Sequence, residues 1–376
     1  MSDPAEHRNS SGLQDRFATQ HEIVKAARLK LTAERWDYVV GAAETETTLK
    51  RNRYAIDSVA FRPRVLRDIS AVQCGGPVLG KPSRLPVMLA PVGGLERLDP
   101  VGAAAAARGA ALLGIPQMVS SVSAPGLEAT AKAASNRKFF QLYRRGTDNL
   151  TDDIVDRAVA AGYEAFCYTV DSAFYGRRER DISRRVSNRS IIDDGGDYRQ
   201  QSLSWSEVKR FKDKHGHKLP LILKGIQTAE DAIVACDHGV DGIYVTNHGG
   251  RQLDHVRGTL DILPEVVAAV RGRAQIIIDG GFYRGTDVVK ALALGANTVA
   301  IGRLYCYGLA AASSAGVARV LEILEQEVRT CLGLLGLTGF AEIDPSYTHP
   351  APSLTVPHVH SAFPLLNLAD EGYSSH

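Results

Sequence analysis

The sequence predicts a (β/α)8 barrel of the α/β class, and three observations lead to this fold. Eight apolar runs of strand length follow one another from residue 85 onward, with helical patterns between them. Each run is continuously apolar rather than alternating, as in parallel strands that are buried on both faces. Each run also ends in a polar residue or a glycine turn. The runs are residues 85–91, 116–121, 138–143, 165–171, 219–225, 242–248, 274–280 and 297–302.

Amphipathic stretches separate most of these runs and predict helices. The first stretch is rich in alanine, which suits a helix that packs closely against a barrel. A doubly wound sheet is the competing fold, but it would not require eight evenly spaced units. The predicted helices cover residues 100–113, 151–161, 204–215, 228–238, 263–270, 285–294 and 305–331.

One barrel accounts for most of the 376 residues, so a single domain is expected. Residues 1–20 are polar and are expected to be disordered. Residues 21–347 are expected to form the barrel domain with its N-terminal helices. Residues 348–376 carry four prolines, which excludes a long helix or a central strand and predicts an extended tail.

The composition excludes several function classes. Lys plus Arg is 44 and Asp plus Glu is 42, and a net charge of +2 gives no reason to expect nucleic acid or membrane as a partner. Five cysteines without a CxxC pair argue against disulfides or zinc. The polar N-terminus lacks a signal-peptide core, so a cytoplasmic location is expected. His358 and His360 have no acidic or cysteine neighbour, and no metal site is predicted.

The turns after the seventh and eighth runs are rich in glycine and carry Arg284 and Arg303. In barrels of this kind these two loops form the common phosphate site, where backbone N–H groups and a helix N-terminus act as donors. The sequence therefore predicts a phosphorylated cofactor or substrate. Lys224 ends the fifth run, and a buried lysine there requires a bound anion or a neighbouring carboxylate.

His248, in an Asn-His-Gly-Gly-Arg turn, is the one of eleven histidines that ends a predicted barrel strand. Asp171, at the end of the fourth run, can orient its imidazole, as in acid–base catalysis. Arg178 and Arg251 can clamp a carboxylate because guanidinium geometry matches it. Tyr143 can hydrogen-bond a substrate oxygen. These residues predict a histidine base and an anionic substrate.

Seven motifs, in chain order, resemble one enzyme family. They are FRPRVL (61–66), FFQLY (139–143), TVD with GRRERD (169–181), LKGI (223–226), TNHGGR (246–251), DGG with RGTDVVKALALGA (279–296) and IGR (301–303). On these motifs the sequence is similar to the FMN-dependent L-2-hydroxy acid oxidase and dehydrogenase family. That family includes glycolate oxidase, lactate oxidase and monooxygenase, mandelate dehydrogenase and the flavin domain of flavocytochrome b2.

The resemblance implies bound FMN and a role for each matched residue. The residues implied to contact the flavin ring are Val92, Gly93, Ser120, Gln141, Thr169, Lys224 and Thr246. Those implied to hold the ribityl chain and phosphate are Asp279, Gly281, Arg284, Gly302 and Arg303. Those implied to bind the substrate carboxylate are Tyr38, Arg178 and Arg251. Tyr143 would contact the hydroxyl being oxidised, and His248, backed by Asp171, would be the base.

The implied reaction oxidises an L-2-hydroxy acid to the 2-oxo acid, by a hydride or a carbanion route that the sequence leaves open. O2 is the expected electron acceptor, giving H2O2, because the loop after the fourth run is charged rather than apolar. A dehydrogenase or monooxygenase of the same family, oxidation of a bulkier hydroxy- or amino-substituted intermediate, and a non-catalytic barrel are the alternatives. The resemblance also implies a homotetramer.

Three departures from the family pattern bear on the site. Tyr283 replaces the first of two basic residues that usually follow DGG-x, so one positive charge near the phosphate or the active-site rim is missing. Gly93 stands where relatives often carry alanine or a larger residue. The loop over residues 172–202 is shorter than usual, which suggests a more open site and a bulkier substrate. Pocket size is expected to depend on this loop and on Gly93, Val122 and Phe174.

Overall fold

Eight parallel strands close into a barrel; seven lie within the predicted apolar runs, and the strand Leu221–Ile226 extends one residue beyond its run, 219–225. The computed structural model describes residues 12–185 and 199–366. The barrel strands β4–β11 pair in chain order, and β11 returns to β4, so the predicted (β/α)8 barrel is confirmed. In chain order the strands are β1 (Val59–Phe61), β2 (Gly76–Val78), β3 (Lys81–Ser83), β4 (Val87–Leu89), β5 (Gln117–Ser120), β6 (Lys138–Leu142), β7 (Phe166–Thr169), β8 (Leu221–Ile226), β9 (Gly242–Val245), β10 (Gln275–Ile278), β11 (Thr298–Ile301) and β12 (Thr348–Pro350).

Two cores explain why the strand sequences are continuously apolar. Met88 belongs to the core inside the barrel, whereas Val87 and Leu89 on either side of it belong to the core between the strands and the helices. Successive side chains of a strand point to opposite faces, and both faces here are buried. Phe139 and Tyr244 also fill the barrel interior, and neither is exposed to solvent.

Helices surround the barrel at the positions that the sequence predicts, with bounds that differ by up to four residues. The short helix α5 was not predicted. The last helix, α12, leaves helical geometry at Ala312 and Ser313, which divides it into two helical pieces. The helices are α1 (Gln20–Lys30), α2 (Ala33–Val40), α3 (Thr47–Asp57), α4 (Ala103–Leu112), α5 (Leu127–Ala133), α6 (Asp148–Ala160), α7 (Glu179–Ser183), α8 (Trp205–His215), α9 (Ala229–Asp237), α10 (Thr259–Val270), α11 (Gly285–Ala293) and α12 (Arg303–Leu335).

Helix α12 is also apolar enough, by length and composition, to cross a membrane. It is the one such helix among residues 12–185 and 199–366, and 78% of its most apolar window is buried inside the protein. A helix of this kind packs in the core of the domain. Its contacts with α1, α4 and α11 account for that burial.

The N-terminal segment differs from the expected disorder where the structure describes it. Phe17 is 2% exposed, and its carbonyl accepts a 2.8 Å hydrogen bond from Arg319 Nε. The Gln20 side chain donates to the Val320 carbonyl at 2.9 Å. Residues 12–20 are therefore anchored to α12, because one buried aromatic side chain holds an otherwise polar segment. The expectation for residues 1–11 falls outside the described residues.

The C-terminal tail begins by adding a short strand to the domain. Strand β12 pairs antiparallel with β1, with Thr348 opposite Phe61 and Pro350 opposite Val59. From residue 351 to 366 the chain runs in turns and extended segments, as the prolines predict. The expectation for residues 367–376 lies outside the described residues. Residues 186–198 also lie outside the described residues, and the prediction of a short loop over residues 172–202 partly depends on them.

Candidate active site

A cavity of about 520 Å³ opens at the carboxyl ends of the barrel strands, where barrel enzymes place their chemistry. This is an ordinary size for a cofactor and ligand site. Ser120, Gln141, Thr169 and Thr246 are buried, each at most 2% exposed, and do not line the cavity themselves. The predicted site residues that line it are Tyr38, Val92, Gly93, Tyr143, Arg178, Lys224, His248, Arg251, Asp279, Gly281, Gly302 and Arg303.

His248 lies between a hydroxyl and a carboxylate. Its Nε2 is 3.2 Å from the Tyr143 hydroxyl, and its Nδ1 is 3.0 Å from Asp171 Oδ1. Because the carboxylate can only accept, Nδ1 carries the proton and Nε2 keeps its lone pair. The backbone N–H of His248 donates to the Thr246 hydroxyl at 2.9 Å, which fixes the turn. The imidazole thus presents a basic nitrogen beside Tyr143.

Charges around His248 keep the imidazole neutral. Burial and the positive charge of Lys224, whose Nζ is 3.3 Å from Nδ1, lower the pKa of His248 below its ordinary 6.5. Burial by itself raises the pKa of Asp171, but the charge of the His248 imidazolium, which forms at low pH, and the charge of Lys224 outweigh it and hold that pKa at about 2. Asp171 is therefore a permanent anion that stabilises positive charge on His248 when it arises.

An irregularity in β8 makes room for Asp171. The pairing of β8 with β9 shifts register between Lys224 and Ile226, and Gly225 has a φ of 124°. A Cβ at Gly225 would lie 2.7 Å from the Cβ of Asp171. A side chain at position 225 would therefore displace the carboxylate from His248.

Arg178 and Arg251 are neighbouring arginines that line the cavity. The Arg178 guanidinium lies 4.1 Å from the centre of the Tyr175 ring and also donates to the Tyr175 hydroxyl. Arg251 Nη1 donates to the carbonyls of Tyr38 and Gly41 at 2.6 and 2.8 Å. Burial and repulsion from Arg251 lower the pKa of Arg178 to about 10, which leaves it charged at neutral pH. The two guanidinium groups suit a carboxylate ligand.

Residues on the first strand turn and on α6 line the cavity near its opening. Tyr38 donates its hydroxyl to the Gly93 carbonyl at 2.7 Å. A Cβ at Gly93 would lie 2.7 Å from Val122 Cγ2, so Val122 takes the space beside this glycine. Leu150 and Ile154, one turn apart on α6, add an apolar surface. The predicted role of Phe174 is not supported, since it is 75% exposed and does not line the cavity.

Buried polar groups beneath the cavity fit a bound flavin. Gln141 is fully buried; its Nε2 donates to the Thr169 hydroxyl at 2.8 Å, and its Oε1 has no partner among the described residues. Asp279 accepts from the Tyr244 hydroxyl at 2.8 Å and from the Thr246 hydroxyl. An orphaned buried acceptor beside a polar cavity is what a hydrogen-bonding ligand such as a flavin can satisfy.

The predicted phosphate end contains Arg303 but not Arg284. Arg303 donates to the carbonyls of Val39, Gly41 and Gly249 at 2.9 to 3.0 Å. Arg284 does not line the cavity, contrary to the prediction, because Glu327 of α12 binds its guanidinium at 2.6 Å.

The tyrosine that replaces the usual basic residue lines the cavity near this end. Tyr283 is 2% exposed, and burial raises the pKa of its hydroxyl, which lies near the positive charge of Arg303.

Several residues that support the site were not predicted from the sequence. Arg53 is buried, pairs with Asp287 at 2.7 Å and donates to the Gly281 carbonyl at 3.0 Å, so it holds the loop after β10. Asn52 and Asn247 exchange two amide hydrogen bonds of 2.7 and 2.8 Å beneath the His248 turn. The sequence did contain one indication of these contacts. Asn52 and Arg53 are adjacent in α3, an otherwise amphipathic helix, and buried polar side chains require partners.

Cys306 also lines the cavity. It is one of five free cysteines, and burial raises the pKa of its thiol to about 12. The thiol is therefore protonated at neutral pH. It adds a small, weakly polar side chain to the wall.

Comparison with known proteins identifies the family of the chain. The FMN-dependent dehydrogenase family matches residues 27–350. L-lactate oxidase of Nostoc sp. (strain PCC 7120) is 37% identical over 355 residues, 87% of this chain and 97% of that protein. Glycolate oxidase 3 of Arabidopsis thaliana is 38% identical over 363 residues, 91% of this chain and 98% of that protein.

Solved structures give the same result. A crystal structure of mandelate oxidase is 36% identical and superposes with a TM-score of 0.84, covering 90% of this chain and 100% of that one. The resemblance in the motifs, the barrel and the expected cofactor FMN are thereby confirmed. The chain belongs to the FMN-dependent dehydrogenase family.

Proposed function

We propose that this chain is an FMN-dependent oxidase that converts an L-2-hydroxy acid to the 2-oxo acid and passes the electrons to O2, giving H2O2. The observation that carries the proposal is the neutral imidazole of His248, held by Asp171 and facing Tyr143, in a cavity that Arg178 and Arg251 also line. The names of the relatives, L-lactate, glycolate and mandelate oxidase, support the same substrate class.

Each residue has a role that follows from its position. Arg178 and Arg251 bind the substrate carboxylate, which places the neighbouring hydroxyl-bearing carbon toward Tyr143 and His248. The Tyr143 hydroxyl hydrogen-bonds the substrate oxygen. His248 accepts a proton at Nε2, and Asp171 stabilises the imidazolium that forms. In a hydride route this proton comes from the hydroxyl, and in a carbanion route it comes from the α-carbon.

Bound FMN supplies the two-electron acceptor for this reaction. We propose that the buried groups beneath the cavity hold the ring, with Lys224 as the positive charge beside it, since Lys224 is 3% exposed and lies 3.3 Å from His248 Nδ1. A fixed cation in a low-dielectric site favours negative charge that develops nearby. Gly281, Gly302 and Arg303 are proposed to hold the ribityl chain and phosphate, which follows the usual placement of phosphate in barrels.

The wall beyond Tyr143 favours a substrate with an apolar side chain. Val122, Leu142, Leu150 and Ile154 all line the cavity on that side, and they offer contact surface rather than hydrogen bonds. Burying apolar surface of a substrate side chain contributes about 0.8 kcal/mol per CH2 group. We therefore propose that a hydroxy acid with an aliphatic or aromatic side chain is preferred over glycolate.

Anaerobic reduction of the bound flavin tests the proposal. The purified protein is mixed with glycolate, L-lactate, L-2-hydroxyisocaproate and L-mandelate, and the loss of oxidised-flavin absorbance is followed. We expect reduction by at least one acid, fastest for a large apolar side chain, followed by H2O2 formation when air is admitted. Absence of reduction by every acid would contradict the proposal and favour the alternative substrate, a bulkier hydroxy- or amino-substituted intermediate.

The same experiment separates the acceptor alternatives. An oxidase releases one H2O2 for each 2-oxo acid formed, and a monooxygenase releases the shorter, decarboxylated acid instead. A dehydrogenase reoxidises slowly in air and rapidly with an artificial acceptor.

We further propose that the protein is a cytoplasmic homotetramer. Family resemblance supports the tetramer, and five unpaired cysteines fit a reducing compartment. Light scattering of the purified protein tests the first point, and fractionation of the source cells tests the second.

A further inference from the structure

The last described part of the tail packs behind the phosphate end of the cavity. We name residues 358–366 the C-terminal cap. Phe363 of the cap is 2% exposed, and its ring lies 5.3 Å from the ring of Tyr283 and 5.7 Å from that of His21. Because Tyr283 itself lines the cavity, a single layer of side chain separates the cap from the cofactor site.

A second aromatic contact holds the other end of the cap. The His360 ring stacks on Trp36 of α2 with 5.3 Å between ring centres, and its Nε2 lies 3.4 Å from the Tyr307 hydroxyl. Burial and the positive charges of His358 and Arg303 lower the pKa of His360 to about 4. The imidazole is therefore neutral at physiological pH and packs as an aromatic ring near Arg303.

The cap is also tied to the loop after β10 by its backbone. Arg284, at the N-terminus of α11, donates from Nη1 to the Ala362 carbonyl at 3.2 Å while Glu327 holds the same guanidinium. This arginine thus joins three elements, the loop, α12 and the cap. These contacts explain why Arg284 lies outside the cavity.

The residues between the cap and the cavity contact the cap through their rings. Both ring nitrogens of His21 are buried and have no hydrogen-bond partner within residues 12–185 and 199–366. Burial raises the pKa of Tyr283, so its hydroxyl stays protonated, and this wall depends on ring packing against Phe363. Such a wall keeps its shape only while the layer behind it stays in place.

From these contacts we infer that the C-terminal cap is a cofactor-retaining element, which seals the phosphate end of the FMN site and slows FMN release. The inference rests on the proposed placement of the phosphate at the loops after β10 and β11. For FMN to leave on this side, Tyr283 and the Arg303 region must move, and that requires Phe363 and His360 to leave their buried positions.

Fluorescence of released FMN tests the inference, because free FMN fluoresces more strongly than the bound cofactor. We compare the full chain with Phe363→Ala, with a chain ending at residue 357, and with the control Leu354→Ala, whose side chain is 97% exposed. Loss of a buried aromatic weakens packing by a few kcal/mol, so release should accelerate about tenfold or more in both cap variants. The control should stay within about twofold of the full chain.

A separate measurement distinguishes the cap from a general stabilising role. The reduction rate of flavin-saturated Phe363→Ala should equal that of the full chain, and Phe363→Leu should recover slow release. Unchanged FMN release in both cap variants overturns the inference, and so does equal acceleration in Leu354→Ala. If the shortened chain unfolds, the comparison of FMN release between Phe363→Ala and Phe363→Leu tests the inference. Failure of the full chain to bind any FMN would instead overturn the proposed function.

Discussion

The two ends of the cavity are built in different ways. At the catalytic end, charged side chains surround the imidazole: Asp171 and Lys224 lie within 3.3 Å of His248, and Arg178 Nε donates to the Arg251 carbonyl. At the phosphate end, aromatic side chains and backbone carbonyls form the wall. Glu327 and the Ala362 carbonyl hold Arg284 outside the cavity. The difference indicates that the first end is arranged for proton transfer, whereas the second is arranged for retention.

This contrast between the two ends leads to a general expectation. Substitution of His248 or Arg178 should change the rate of flavin reduction and leave FMN bound, because neither side chain is proposed to hold the cofactor. Substitutions at the phosphate end should change FMN affinity and leave the rate of each saturated site almost unchanged. Effects that cross over between the two ends would break the comparison.

The largest effect is expected for His248→Gln. Removing the base should slow anaerobic flavin reduction about 10³-fold, since positioned general bases typically contribute 10²- to 10⁴-fold. The measurement is stopped-flow absorbance, with FMN content determined in parallel. His255→Gln, at a 60% exposed position, is the matched control. A reduction rate within tenfold of the unsubstituted protein would remove His248 from the proposed role.

Arg178→Met should come next. It removes a buried cation that faces the substrate carboxylate, and kcat/KM should fall about 100-fold, mainly through KM. Arg178→Lys should recover only part of this, because a lysine cannot form the bidentate contact. Arg177→Met, at a 64% exposed neighbour, should change little. Steady-state kinetics at saturating FMN measure kcat and KM for each variant. Loss of bound FMN in Arg178→Met would contradict the separation of the two ends.

Arg303→Met tests the phosphate end. The guanidinium is a cation lining this end and also donates to three carbonyls, so the FMN dissociation constant should rise about tenfold or more. Titration of the apoprotein with FMN measures this, and Arg273→Met on the surface is the control. A slower reduction rate at full FMN occupancy would show that the two ends are coupled.

The smallest effect is a shift in pH dependence. Neutral His248 is the active form, so kcat/KM should fall as the pH drops through its lowered pKa, below 6.5. Lys224 contributes to that lowering, and Lys224→Met should therefore raise the pKa and move the acid limb to higher pH. Lys209→Met, 66% exposed, should leave the profile in place. A shift to lower pH in Lys224→Met would contradict the assignment.

Sequence alone predicted the barrel and the catalytic end because both follow local rules. Continuous apolar runs mark strands buried on two faces, and the C-terminal ends of such strands meet at one rim. His248, Asp171 and Lys224 each end a predicted strand, so their proximity follows from the fold without knowledge of side-chain contacts.

The phosphate end was predicted less well because its contacts join distant parts of the chain. Nothing near Arg284 indicates that Glu327, on another helix, draws it out of the cavity. Likewise, Phe17 and Phe363 are single aromatic residues in polar or Pro-rich segments, and their burial depends on surfaces that form only in the folded protein. Helix α5 has only seven residues, too few to establish a helical period.

The protonated thiol of Cys306 has a consequence for an enzyme that makes peroxide. Thiolates, not thiols, react with peroxide, and at pH 7 a pKa of about 12 leaves only a minute fraction of this cysteine in the reactive form. If the proposed oxidase reaction releases H2O2 into the cavity, the protonated thiol of Cys306 reacts with it slowly. Burial of one sulfur atom thus lowers the reactivity of a cysteine that lies in the wall of the cavity.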